Sequence, residues 1–275
     1  MKLYLNIFLI FIFCYSCQMP TAQLKKKVQD FQEKYSSHFK MYEVKGRRIR
    51  LVEMGHSNSP PLLFIHGSPG SWDGWIEYLT NSELIQKFHI LAIDRPGYGR
   101  SDNGVVDISL KSQAEQVVGA LKYNHSGLPA ILVGHSFGGP VAARMAIDYP
   151  DLIKGILFLA SSIDPNLEET KWFQYPASWT IFRWMIPNEL LVCNDEIRAL
   201  KSELLLMEPF WKNIKANVSI VHGEIDELVP VQNVDCILSH LKQNQLRTIS
   251  RVSDLNHFVP WKRVDLVLKG IQSLE

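Results

Sequence analysis

Hydrophobic and polar positions along the chain fall into blocks whose period changes from two to 3.6 and back. Residues 39–44 and 48–53 flank Lys45-Gly46, a turn pair, and predict a hairpin. Residues 61–65, 88–93, 130–133, 155–160 and 218–221 are short unbroken apolar runs, the pattern of strands covered on both faces, and 247–252 reads as a last strand. Between them lie helical patterns. Residues 109 to about 123 place Leu110, Ala114, Val117, Val118 and Leu121 on one face. Residues 138–149 form a small-residue helix, and 230–241 and 260–272 read as two more, the last with Pro260 near its first turn. Strands alternating with helices predict an α/β fold with a mostly parallel central sheet flanked by helices. Residues 161 to about 214 break the rhythm. They contain no clear strand but many aromatics (Trp172, Phe173, Tyr175, Trp179, Phe182, Trp184, Phe210, Trp211) and read as a helical insertion between strands.

The N-terminus lies outside this pattern. Lys2 precedes an apolar run from Leu3 to Phe13, too short to span a bilayer and suited to a signal-peptide core. Cys14-Tyr15-Ser16-Cys17 follows and resembles a bacterial lipoprotein processing site, with Cys17 as the lipidated first residue; Cys14 and the bulky Tyr15 depart from the usual pattern. A cleaved secretory signal and an uncleaved anchor are the alternatives. The expected division is therefore a signal segment at 1–17, a helical or flexible tether at 18–38, and one domain at 39–275 with a cap at about 162–214. The expected location is the bacterial cell envelope, on a membrane through the lipid. Cys193 and Cys236 are left in the body, where two thiols are expected rather than a disulfide framework.

Composition adds mainly exclusions. The 275 residues suffice for one domain with a sizeable core, and 46% apolar with 21% charged is an ordinary globular balance. A net charge of +1 with mixed signs argues against a nucleic-acid partner, the one basic run being Lys25-Lys26-Lys27. No Cys/His spacing suits a zinc site, so no metal and no cofactor are expected. The glycines of Pro96-Gly97-Tyr98-Gly99 lack the Lys-Ser/Thr of a phosphate loop and are read as turn residues.

Gly134-His135-Ser136-Phe137-Gly138 matches G-x-S-x-G, with a buried strand running into it and a helix leaving it. This context resembles the α/β-hydrolase superfamily, and the resemblance covers nearly everything from Phe39 onward. His66-Gly67-Ser68-Pro69-Gly70 is similar to the family's HGxxG oxyanion loop. Asp94-Arg95-Pro96-Gly97-Tyr98-Gly99-Arg100-Ser101 is similar to its D-x-P-G-x-G-x-S segment. Residues 222–230 resemble its acid loop, and Asn256-His257-Phe258 its histidine loop. The resemblance implies Ser136 as nucleophile, His257 as general base and Asp226 as the orienting acid. Glu224 and Glu227 flank Asp226, and Asp164, just past the strand at 155–160, occupies an alternative acid position of some relatives. The resemblance further implies backbone N–H donors at Ser68 and Phe137 for the oxyanion, and a lid formed by the insertion. His135 and His222 read as scaffold. A serine at the elbow argues against the relatives that use aspartate there, epoxide hydrolases and haloalkane dehalogenases. The expected reaction is hydrolysis of a small or medium apolar carboxylic ester. Proline-iminopeptidase-like amide hydrolysis, carbon–carbon bond hydrolysis, cofactor-free perhydrolysis and a catalytically silent binding protein stay open.

Overall fold

The computed structural model describes residues 22–168 and 186–275. Among these, eight strands form one sheet: β1 (Phe39–Val44), β2 (Arg47–Met54), β3 (Pro61–Ile65), β4 (His89–Ile93), β5 (Ala130–His135), β6 (Ile153–Leu159), β7 (Asn217–Gly223) and β8 (Leu246–Val252), in the order β1-β2-β4-β3-β5-β6-β7-β8. β1 and β2 pair antiparallel, as do β2 and β4; every other pairing is parallel. Hence β3 to β8 all point their carboxyl ends to one edge, where the loops carrying the chemistry emerge.

The apolar runs are explained by alternation. Leu63, Ile65, Leu91, Ile93 and Leu132 face one core, and Leu62, Phe64, Ile90, Ala92, Ile131 and Val133 the other. A strand buried on both faces needs no polar positions. The first core is closed by α3 (Leu110–Val118), α4 (Gly138–Asp148), α5 (Asn188–Met207) and α6 (Asn233–His240); the second by α1 (Ala22–Lys34), α2 (Ser82–Lys87) and α7 (Val264–Gln272).

Three details differ from, or decide between, the sequence expectations. Of the two forms open to residues 18–38, a helix occupies Ala22–Lys34, and its Phe31 is buried beside Phe39 and Trp72, at ring separations of 6.2 and 5.3 Å. The expected helix 260–272 is broken at Arg263 into a single turn, Val259–Lys262, and α7. The helix expected at 230–241 starts later, at Asn233, after a turn.

The insertion enters after β6 and returns at β7. Its described part is a loop to Glu168, then α5 and a 3₁₀ segment, Glu208–Asn213. Trp172, Phe173, Tyr175, Trp179, Phe182 and Trp184 lie outside the described residues, as do the signal segment and Cys17. Trp211 is a core residue, 6.4 Å from the Phe158 ring, whereas Phe210 is exposed beneath Arg144. Cys193 and Cys236 form no disulfide. Among the described residues no helix is long and apolar enough to cross a membrane.

Candidate active site

β5 ends in the tight turn that the G-x-S-x-G pattern predicts. Ser136 has φ +53°, the left-handed region that a side-chain-bearing residue adopts only when its surroundings enforce it. The surroundings do so. The Ser136 N–H donates to the Leu159 carbonyl at 3.0 Å, and the Ser136 carbonyl accepts from the Gly139 N–H at 3.0 Å, the first turn of α4. Gly138 lets that helix start against the end of β3, since a Cβ there would overlap the Ile65 carbonyl oxygen. The result raises Ser136 out of the sheet, half-buried, beside the oxyanion loop: a Cβ on Gly67 would stand 2.8 Å from the Ser136 Cβ.

The acid and the histidine come from the loops after β7 and β8. These loops are tied together by the Glu224 N–H to Val252 O and the Ile225 N–H to Leu255 O, at 2.9 and 3.2 Å. Gly223 permits the approach, because a Cβ there would collide with the Leu255 carbonyl. Asp226 is buried, and its two oxygens have separate duties. Oδ1 accepts from the N–H groups of Leu228 and Val229 at 2.9 and 2.8 Å, and Oδ2 accepts from His257 Nδ1 at 2.7 Å. With Nδ1 donating to Asp226, the other ring nitrogen of His257 is Nε2. No hydrogen bond joins it to Ser136 Oγ among the described residues. In ligand-free sites such bonds are often long and tighten in the substrate complex.

Asp164, an alternative acid by sequence, sits elsewhere. Its backbone N–H is held by Asn233 Oδ1, and its own Oδ1 accepts from Asn166. The two scaffold histidines hold the site from behind. His135 Nε2 donates to the His257 carbonyl at 3.1 Å, with the two rings 4.8 Å apart. His222 Nε2 donates to the Val229 carbonyl at 2.9 Å and lies 3.6 Å from Asp226 Oδ2. Burial lowers the pKa of both imidazoles, His135 strongly.

The Ser68 and Phe137 N–H groups, the two expected oxyanion donors, make no hydrogen bond among the described residues. Ser68 lies three residues past the end of β3, and Phe137 directly follows Ser136. The glycine segment after β4 wraps its own carboxylate: Asp94 accepts from the Trp72 and Arg100 N–H groups at 3.0 Å each. A Cβ on Gly99 would overlap that carboxyl, and burial raises its pKa to about 6. The loop amides are therefore occupied internally, as the turn reading expects.

Sequence reasoning missed one part of the site. Behind the oxyanion loop lies a buried polar cluster of Arg95, Glu196, Gln113 and Tyr98. Arg95 was visible only as a member of the segment after β4, and nothing local marks Glu196, which arrives from α5 about a hundred residues later. A long-range buried ion pair leaves no periodic signal.

Comparison with known proteins agrees with the fold. Residues 60–184 match the family model described as the alpha/beta hydrolase fold. A bacterial membrane phospholipase A shares the fold at a TM-score of 0.66 and 18% identity, over 100% of this chain and 98% of that one. The chain has the α/β-hydrolase fold. An N-acyl homoserine lactone degrading enzyme is similar at a TM-score of 0.61 and 21% identity, over 85% and 99% of the two chains. Among curated proteins, Epoxide hydrolase 1 of Caenorhabditis elegans is 30% identical over 171 residues, 58% of this chain and 40% of the relative. The chain spans less than half the length of the curated relatives it matches.

Proposed function

We propose that this α/β hydrolase cleaves carboxylic esters through an acyl-enzyme on Ser136. The observation that carries the reading is the Asp226–His257 hydrogen bond of 2.7 Å, which assigns the imidazole tautomer needed for general-base work, on loops beside a strained serine. Ser136 Oγ attacks the ester carbonyl while its proton passes to His257 Nε2, and the imidazolium is stabilised by Asp226. The carbonyl oxygen becomes an oxyanion that accepts from the Ser68 and Phe137 N–H groups, each such donor being worth about 3 kcal/mol. Collapse of the tetrahedral adduct breaks the C–O bond to the leaving alcohol, which takes the proton from His257. Water then attacks the acyl-enzyme with the same base and frees acid and serine.

An alcohol nucleophile rather than a carboxylate at position 136 favours acyl transfer over epoxide opening, although a curated relative is an epoxide hydrolase. A phospholipase and a lactone-degrading enzyme among the structural neighbours support an oxygen ester in the substrate. Ile225 and Leu228, exposed on the acid loop, and Trp261, exposed on the helical turn after the histidine loop, favour a small or medium apolar acyl group. Lipid anchoring at Cys17 in a bacterial cell envelope completes the reading, supported by the sequence alone. The test is a panel of acyl p-nitrophenyl esters, aminoacyl amides and ring-cleavage diketones against wild type and Ser136→Ala. Ester turnover lost in Ser136→Ala is expected. Turnover confined to amides or diketones would move the substrate class, and activity surviving in Ser136→Ala would refute the nucleophile. Metabolic lipid labelling that persists in Cys17→Ser would refute the anchor.

A further inference from the structure

We propose that Arg95 and Glu196 are positioning residues for the oxyanion hole, through which the inserted helix α5 sets the catalytic amides. The inference deepens the reading above, since it rests on the Ser68 and Phe137 N–H groups being the oxyanion donors. One guanidinium holds residues 66–68 of the oxyanion loop. Arg95 Nε donates to the His66 carbonyl at 2.8 Å, and Nη2 donates to the Gly67 carbonyl at 3.0 Å and to Ser68 Oγ at 2.6 Å. Its backbone N–H donates to His66 Nε2 at 2.9 Å. The same guanidinium lies 4.7 Å from the ring centre of Phe137, so it touches both residues that supply the donors.

Glu196 is the counter-ion, and its side chain, like that of Arg95, has no solvent exposure. The pair is bidentate, Nη1 to Oε1 at 2.8 Å and Nη2 to Oε2 at 3.1 Å. Three further donors surround the carboxylate. Gln113 Nε2 donates to Oε1 at 2.8 Å, while Tyr98 OH and Ser68 Oγ donate to Oε2 at 2.6 and 2.5 Å. Buried ion pairs of this kind are weak evidence for stability but fix geometry, because removing one partner leaves an uncompensated charge. Here the geometry fixed is that of residues 66–68 and 137. Glu196 belongs to the insertion, so the oxyanion amides are aligned only while α5 is docked on the body. α5 is held at a second point, where Glu203 Oε2 accepts the Leu110 N–H at 2.8 Å.

Full-length wild type, Glu196→Gln and Ser68→Ala would be assayed with p-nitrophenyl butyrate and with an alkyl trifluoromethyl ketone, whose serine adduct carries an oxyanion. Rates are taken per site labelled by a fluorophosphonate. Glu196→Gln should lower kcat about 10- to 100-fold, KM should move less than about twofold, and the ketone Ki should rise by the same factor as kcat falls. Ser68→Ala removes the bridging hydroxyl without stranding a charge, and should show the same pattern at about 3- to 10-fold. It decides the matter if Glu196→Gln does not fold. Wild-type kcat and Ki per labelled site in folded variants, or a loss confined to KM or to the labelled fraction, would overturn the inference alone. Failure of wild type to label at Ser136 would overturn it together with the hydrolase reading.

Discussion

Replacing Asp226 by asparagine should abolish most turnover without unfolding the protein, and the hydrogen bonds around the carboxylate give the size of the effect. An asparagine is isosteric but has one acceptor and one donor. Its carbonyl must take the Oδ1 place, where the Leu228 and Val229 N–H groups point at 2.9 and 2.8 Å. The reverse orientation sets an NH₂ against two buried donors, at a cost of roughly 2–6 kcal/mol. The NH₂ therefore faces His257 Nδ1, which becomes an acceptor, and the ring proton moves to Nε2, where it cannot accept from Ser136. Restoring the productive tautomer then costs at least about 2 kcal/mol, a factor of about 30. Loss of the charge that stabilises the imidazolium removes a further 1.5–3 kcal/mol or so. With the tautomer cost at its lower bound the two come to about 3.5–5 kcal/mol, roughly 400- to 5,000-fold, approaching the ~10⁴-fold scale for loss of a triad acid. The assay is kcat/KM on p-nitrophenyl butyrate with a thermal melt on the same sample. A loss below tenfold, with Asp164→Asn inactive, would refute the assignment.

Gly138→Ala drives a methyl into the Ile65 carbonyl and to within 2.8 Å of the His66 carbonyl, so a loss of about 1–3 kcal/mol or more in urea melts is expected, with reduced kcat; a neutral melt would contradict the close approach. Phe31→Ala should cost about 3 kcal/mol by urea melt, since the ring is buried between α1 and Trp72, and an unchanged midpoint would mean that α1 is a loose tether. Stability should fall on acidification. His66 and His135 are kept neutral by burial, well below the ordinary 6.5, so below that pH the unfolded chain binds two protons that the fold refuses, and their contribution, full above about pH 6.5, is lost as pH falls. Asp94, raised from 3.8 to about 6, takes up a proton in the fold and offsets part of this loss, while His89 and His222, also lowered by burial, add to it. Equal or greater stability at pH 5 than at pH 7 would contradict these assignments.

The apolar runs located every central strand to within two residues, because burial on both faces removes polar interruptions and makes each run stand out. The elbow was legible because a buried strand, two small residues and a helix are local consequences of one tight turn. The Asp226 assignment needed the resemblance, since Glu224 and Glu227 are equally acidic and only the fold shows which oxygen meets His257. The break at Arg263 was not legible: 260–272 carries an unbroken apolar stripe, whereas Arg263 takes a non-helical φ of −134°. The Arg95–Glu196 pair was invisible for a different reason. It is made by tertiary contact between segments 101 residues apart and replaces no hydrophobic position whose absence would show.

The central claim is a covalent acyl group on one oxygen. Full-length protein should be mixed with excess p-nitrophenyl butyrate, quenched in acid within the first turnovers, and digested for mass spectrometry. The expected result is a butyryl adduct on the peptide containing Ser136, growing in a burst with p-nitrophenolate, held longer in protein whose deacylation is slowed by lower pH, and missing in Ser136→Ala. Steady ester turnover with no adduct at Ser136 under any quench, or an equal adduct on another residue in Ser136→Ala with activity intact, would contradict the account.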